Sequence, residues 1–349
     1  MNPYQTIEQM LRSHRAVLMV TKMGPLTSGG TEALSREIYT EALLQDTLRQ
    51  KLADGRPQFI HGDEQVVIEP FFQRERLIIF GGGHIAVPLC HMAAMAGFGV
   101  TVVDDRPSFA NTARFPSAEK VICNAFSKAF AALKIGPNDF LVIITRGHQY
   151  DALCLKEILS REETIYTGMI GSRRRVATVF EGLKKEGFDS ARIQRICAPI
   201  GLAIGAVTPG EISVSILSEL IQRKRKDPVN AFLVNRSDME SDMIPFLATV
   251  ETPSALVTVI ETTGSAPRGA GAKMLVGEIG ILRGSIGGGC AESEIMHAAR
   301  AIIGTGQWKI ADVHLTEEDA EREGMVCGGT MKLLIEDFNG RTGGGSDGK

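Results

Sequence analysis

Between residues 77 and 170, short unbroken apolar runs alternate with stretches of helical spacing. Leu77–Phe80, Val100–Asp104 and Phe140–Thr145 read as strands, Val121–Cys123 as a weaker one, and Ile165–Ile170 as a fifth. Ile85–Ala96 and Asp151–Ser160 read as helices between them. Strands apolar at every position are buried on both faces, so this alternation predicts an α/β, doubly wound parallel sheet covered on both sides. Glu211–Lys224 is an amphipathic helix that runs into the basic stretch RKRKD, where a boundary is expected.

The two ends of the chain follow another pattern. A helix from residue 7 leads into a strand, Ala16–Thr21; a long helix is expected over Glu32–Leu52, after TSGG, and then a strand, Val66–Glu69. After Ala255–Glu261, read as a strand, come the glycine-rich stretches TGSAPRGAGA, LRGSIGGGC and VCGGT. The blocks AVLMVT, SGGTEALSREIYTEAL and QVVIEPF agree in order and chemistry with ALVTVIETT, GGGCAESEIMHAARAI and KLLIEDF. This predicts an internal repeat whose first copy is abbreviated. The expected layout is an abbreviated repeat over 1–72, the α/β domain over 73–226, a linker over 227–253, a smaller α+β thiol-bearing domain over 254–338, and a disordered tail over 339–349.

Composition changes little. The 349 residues are 44% hydrophobic and 23% charged, which is ordinary globular usage. A net charge of −3 gives no reason to expect nucleic acid as a partner. The six cysteines include no CxxC pair, and the chain shows neither a secretory leader nor an apolar run of membrane-span length. A cytoplasmic protein with reduced thiols is the expectation.

The candidate chemistry begins in RLIIFGGGHIAVPL, which fits G-x-G-x-x-A through Gly81, Gly83 and Ala86, with Gly82 between. The motif leaves a strand and opens a helix, the context in which a Rossmann-like unit binds phosphate on a helix N-terminus. Gly81 serves the tight turn, Gly83 lets backbone amides approach an anion, and His84 is placed to donate to one. Asp104, ending the second strand, is the expected ribose acceptor, although Arg106 beside it suits a second phosphate. Polar clusters at later strand ends add Arg146 and His148 in TRGHQYD, and Ser172, Arg173, Arg174 and Arg175 in GSRRR, a candidate anion clamp. In the last third, Arg268 in GSAPRG is read as a turn arginine facing an anion. Cys290 starts a helix after a glycine-rich turn, where thiols are activated, and Cys327 precedes a strand. Metal coordination, persulfide carriage and a redox pair are the readings for these two; Cys90, Cys123, Cys154 and Cys197 read as core.

Taken together, FGGGHIAVPL, VVDDRPSFANTARFP, ITRGHQYD, GMIGSRRR, APIGLAIGAVTPGEISVSIL, TGSAPRGAGAKMLV, GSIGGGCAESEI and VCGGTMKLLIE resemble the XdhC/CoxI family, accessory proteins of xanthine dehydrogenase and related molybdenum hydroxylases. The resemblance covers roughly residues 75–225 and 254–338. It implies a maturation factor that carries molybdopterin cofactor or its dinucleotide, promotes its sulfuration with a cysteine desulfurase and delivers it to the hydroxylase apoenzyme, with Cys290 near the metal. One departure is plain: the family places its CoxI-type domain first, whereas here the intact copy follows the Rossmann-like domain. The short copy lacks counterparts of Arg268, Cys290 and Cys327, so either it is structural or two protomers of a homodimer complete the sites. Two other classes stay open from the residues alone: an NAD(P)- or FAD-dependent oxidoreductase at Gly81–Asp104, and a non-catalytic scaffold that recruits the hydroxylase.

Overall fold

A computed structural model describes residues 2–13, 16–23, 34–40, 43, 46–62, 65–136, 138–226, 235–314 and 329–338. The chain divides into two compact units, one built from 1–73 with 231–349 and the other from 74–230. Among the described residues no helix is long and apolar enough to cross a membrane. The tail 339–349, TSGG and Cys327 lie outside the described residues.

In the first unit the N-terminal part contains α1 (Pro3–Leu11), β1 (Ala16–Met23), β2 (Ser35–Thr40), α2 (Asp46–Asp54), β3 (Gln58–Ile60) and β4 (Gln65–Phe72). The strands form one sheet in the order β2-β1-β4-β3. The helix expected over 32–52 is corrected here: SREIYT is β2, antiparallel to β1, and among the described residues α-helix begins at Asp46. Glutamate and alanine at helical spacing suggested a helix, but Ile38, Tyr39 and Thr40 suit a pleated surface, and pairing with the buried β1 decides the outcome.

In the second unit β5 (Arg76–Phe80), α3 (Ala86–Met95), β6 (Gly99–Asp104), β7 (Lys120–Cys123), α4 (Phe126–Ala132), β8 (Phe140–Ile143), α5 (His148–Leu159), β9 (Tyr166–Met169), α6 (Arg173–Lys185), α7 (Ser190–Gln194) and α8 (Pro209–Lys226) follow in order. All the strand pairs are parallel, in the order β7-β6-β5-β8-β9. Alternate residues of one strand serve opposite faces. Leu77 and Ile79 pack with Ala86, Leu89, Ile216 and Leu220 of α3 and α8. Ile78 and Phe80 pack with Phe126, Phe130, Leu155 and Val176 of α4, α5 and α6. This two-sided burial is why the strands read as unbroken apolar runs. The chain leaves β5 toward β6 on one side and reaches β8 on the other, which opens a crevice at the carboxyl ends of β5, β6 and β8.

The first unit is completed by α9 (Met243–Thr249), β10 (Ser254–Gly264), β11 (Lys273–Gly277), β12 (Ile281–Gly284), α10 (Gly289–Arg300), β13 (Trp308–His314) and β14 (Gly329–Phe338), with sheet order β12-β11-β10-β14-β13. Helix α9 lies in the stretch expected as a linker; its Met243 and Leu247 are fully buried. The two parts share one core, in which Tyr4, Val17, Met19 and Phe71 meet Met243, Leu256, Leu275 and Phe338. Their registers also correspond. Thr21 pairs with Arg36 as Thr258 pairs with Lys273, and Met19 pairs with Glu69 as Leu256 pairs with Glu336. The buried ion pairs cross between the parts: Arg36 binds Glu336, and Lys273 Nζ lies 2.6 Å from Glu69 Oε1. Reciprocal partners of this kind are what an approximate twofold arrangement of two equivalent β-units produces.

Candidate functional site

The glycine turn is built by close backbone approach. Gly81 has φ of +112°, and its N–H donates to Val103 O at 2.8 Å. A Cβ at Gly82 would stand 2.1 Å from the Phe109 carbonyl oxygen, because the loop after β6 crosses directly over the turn. A Cβ at Gly83 would meet nothing within 4 Å, so this glycine faces open space. Among the described residues neither the Gly83 nor the His84 N–H has a protein acceptor. These two donors sit just ahead of α3, where the helix dipole adds partial positive charge.

Asp104 is held from three directions. Its carboxylate accepts from Gly82 N–H at 2.8 Å, from Arg106 N–H at 3.1 Å, and from Arg106 Nε and Nη2 at 2.8 and 2.9 Å. Burial pushes the carboxyl up, but the Arg106 side chain, the two backbone N–H groups and the Arg106 charge outweigh burial and leave it below the usual range. A depressed folded pKa gives stability that is present above the unfolded value and lost as pH falls through the folded one. On acidification through the lowered Asp104 range the expected result is therefore a loss of amide protection at Gly82 and Arg106, measured against the intrinsic exchange rate at each pH, a response absent from Asp104→Asn; pH-jump hydrogen exchange checks this.

The crossing loop carries further cationic groups. Arg106 lies 3.7 Å from the Phe109 ring centroid and Arg114 5.2 Å, while Arg114 Nε donates to Gly82 O at 3.1 Å. At the next strand end Arg146 makes a bidentate pair with Asp105 at 2.6 and 2.9 Å and donates to Tyr150 Oη at 2.6 Å. The crevice thus gathers Arg106, Arg114 and Arg146 against Asp104 and Asp105, a positive balance. Arg114 and Phe109 were not singled out from the sequence, although arginines on either side of an aromatic in RPSFANTAR carry the signal.

The expected clamp on the fifth strand is differently used. Arg175 binds the buried Asp151, which also accepts from Thr145 Oγ1 at 2.5 Å, and this ties the ends of β8 and β9 together. Burial, the largest influence, raises the Asp151 carboxyl despite these partners. Ser172 caps α6 by accepting from Arg175 N–H at 3.3 Å. Arg173, His84 and His148 are exposed, His84 on the glycine turn and His148 at the start of α5.

In the other unit, Arg268 is engaged by the chain's own anions. Its Nε donates to Asp238 at 2.9 Å, its Nη1 lies 3.5 Å from Glu240, and Gly269 N–H donates to Asp238 at 2.7 Å. The glycine-rich turn before α10 folds around Glu292, whose Oε2 accepts from Ser285 Oγ at 2.7 Å, Ile286 N–H at 3.1 Å and Gly288 N–H at 3.0 Å. Cys290 lies in the first turn of α10, directly after this nest. Asp238 and Glu292 act as internal anions that spacing alone could not reveal.

Comparison with known proteins bears on the same segments. The model of the XdhC Rossmann domain matches residues 77–220, and that of the XdhC and CoxI family matches residues 247–314. An uncharacterized protein of Escherichia coli is 30% identical, covering 62% of this chain and 41% of the relative. A Bacillus subtilis protein described as a probable subunit of xanthine dehydrogenase is 30% identical, covering 64% of this chain and 65% of the relative. The chain therefore spans less than two thirds of each of these relatives. A solved structure described as a xanthine dehydrogenase from Bacillus halodurans is 27% identical over 62% of both chains, with a TM-score of 0.48.

Proposed function

We infer a function from the premise that the chain belongs to the XdhC and CoxI family: it is a maturation factor for a molybdenum hydroxylase, which binds molybdopterin cofactor and assists its sulfuration and insertion. The observation that carries this reading is the glycine turn. Among the described residues Gly83 and His84 leave two N–H donors without a protein acceptor, near Arg106 and Arg114, while Asp104 is closed off by Gly82 and Arg106. Such a turn fits a phosphate group. It fits a ribose diol less well, since both Asp104 oxygens already accept from protein donors. The bound cofactor would supply the molybdenum-centred chemistry, and Gly83, His84, Arg106 and Arg114 would hold its phosphate end. Arg146 and His148 line the same strand ends as outer contacts, and Cys290 and Cys327 are the thiols proposed for sulfuration. The partners under this reading are the hydroxylase apoenzyme and a cysteine desulfurase.

The deciding experiment is mass spectrometry of ligand released from protein made in cells with an intact molybdenum pathway. A molybdopterin species in the wild type, lost in Gly83→Trp, is the expected result. Selective NAD(H) or NADP(H) binding with turnover, and no molybdopterin binding at micromolar concentration, would overturn it. In Cys290→Ala the cofactor is expected to be retained in unsulfurated form, read out as failure to activate the hydroxylase.

A further inference from the structure

The α/β unit holds a cavity of about 400 Å³ far along the sheet from the glycine turn. Tyr166, the first residue of β9, lines it, whereas the crevice lies where β5, β6 and β8 end. The two openings are therefore at opposite ends of the parallel strands. Nothing in the proposed cofactor role uses this second space.

Its lining is chemically two-sided. Ile158, Leu159, Ile165 and Ile196 supply an apolar wall. Arg192, Arg195 and Arg223 supply three guanidinium groups, and Glu163 is the carboxylate of the lining. Arg195 pairs with Glu163, and Arg192 donates from Nη2 to Arg161 O at 2.8 Å and from Nη1 to Leu159 O. The buried Arg192 Nε is left without a hydrogen bond, with Glu163 Oε1 at 3.5 Å. Arg223 Nη2 reaches the Cys197 sulfur at 3.5 Å. Burial keeps that thiol protonated by pushing its pKa up, so it adds no negative charge. The nearby Glu219 is committed to Tyr166 Oη at 2.6 Å and Gly201 N–H at 2.7 Å. The Thr164 and Thr167 hydroxyls, 3.0 Å apart, add neutral donors and acceptors on the same rim.

We propose that this cavity is a second ligand site, which takes a small organic anion with a phosphate or carboxylate head among Arg192, Arg195 and Arg223 and an apolar body against Ile158, Leu159, Ile165 and Ile196. The volume is of the size that holds a small molecule, and its mixture of apolar wall and a few convergent polar groups is that of ligand pockets generally. Three guanidinium groups line the space with one carboxylate, Glu163, and their planar forks suit an oxyanion.

Calorimetric titration of the full chain with phenyl phosphate, with benzoate and with neutral benzyl alcohol tests this. One or both anions should bind at least about tenfold more tightly than the alcohol. Which anion binds better separates a phosphate head from a carboxylate one. Arg195→Gln and Arg223→Gln should each weaken the anion about tenfold or more, with unchanged circular dichroism, and Gly83→Trp should leave it unaltered. No anion binding at millimolar concentration, equal affinity for the alcohol, or unchanged binding in both arginine variants would overturn the proposal. Loss of binding in Gly83→Trp would do so too, by placing the anion at the glycine turn.

Discussion

Lys273→Met should destabilise the first unit by about 3–5 kcal/mol, the cost typical of leaving one member of a buried ion pair without its partner. Lys273 is 2% exposed and Glu69 4%, so little water reaches a carboxylate stranded there. Lys273 also donates to Thr258 Oγ1 at 3.0 Å, and its ammonium lies within 6 Å of the Tyr4 and Phe71 rings. The double variant Lys273→Met/Glu69→Leu removes both charges and should recover most of the loss, since a well-packed apolar pair often equals a buried ion pair. Urea unfolding followed by fluorescence of Trp308, the single tryptophan and part of this unit, measures both. A cost under about 1 kcal/mol for Lys273→Met, the range of exposed pairs, would mean that Glu69 finds another partner.

The crossed pairs also explain why the repeat matters to the fold. Each sheet alone would leave an apolar face uncovered; Met23 and Val67 meet Ile260 and Leu334, and Tyr4 and Phe71 meet Phe338. A charged residue at the same register position in each half then selects one way of facing the halves, because an unpaired buried charge opposes every other.

Much of this is legible in the sequence. The α/β domain declared itself because strands buried on both faces must be apolar throughout, and the glycine motif fell in the strand-to-helix context that its chemistry requires. The repeat was readable because order and chemistry recur together. What periodicity does not carry is local. SREIYT sits within a longer stretch of helical spacing, and its β-favouring Ile38, Tyr39 and Thr40 become a strand through pairing with β1. Arg268 read as an arginine awaiting an anion, whereas Asp238, thirty residues earlier in the chain, reaches it. Asp104 read as an open acceptor, and Arg106, two residues on, folds back to cover it. In each case the missing information was which residue folds back onto which, a property of loops that periodicity does not encode.

Gly82→Ala and Gly83→Ala should separate the fold of the crevice from its binding role. At Gly82 the new methyl would enter within 2.1 Å of the Phe109 carbonyl, a backbone atom that cannot swing aside as a side-chain tip would. Either the loop carrying Arg106, Phe109 and Arg114 lifts or the turn shifts, and in both cases the 2.8 Å bond from Gly82 N–H to Asp104 is strained. The expected cost to the second unit is about 1–3 kcal/mol, the range for overpacking, seen as a lower melting temperature by circular dichroism and faster exchange along β6 and α3. At Gly83 the methyl enters open space, and stability should change by no more than about 0.5 kcal/mol. The same open space is where a phosphate would approach the Gly83 and His84 N–H groups, so Gly83→Ala should weaken cofactor retention while leaving the melting curve in place. Retention unchanged in Gly83→Ala and Gly83→Trp alike would remove the glycine turn from the binding site and leave Asp104, Arg106 and the crossing loop as structural elements.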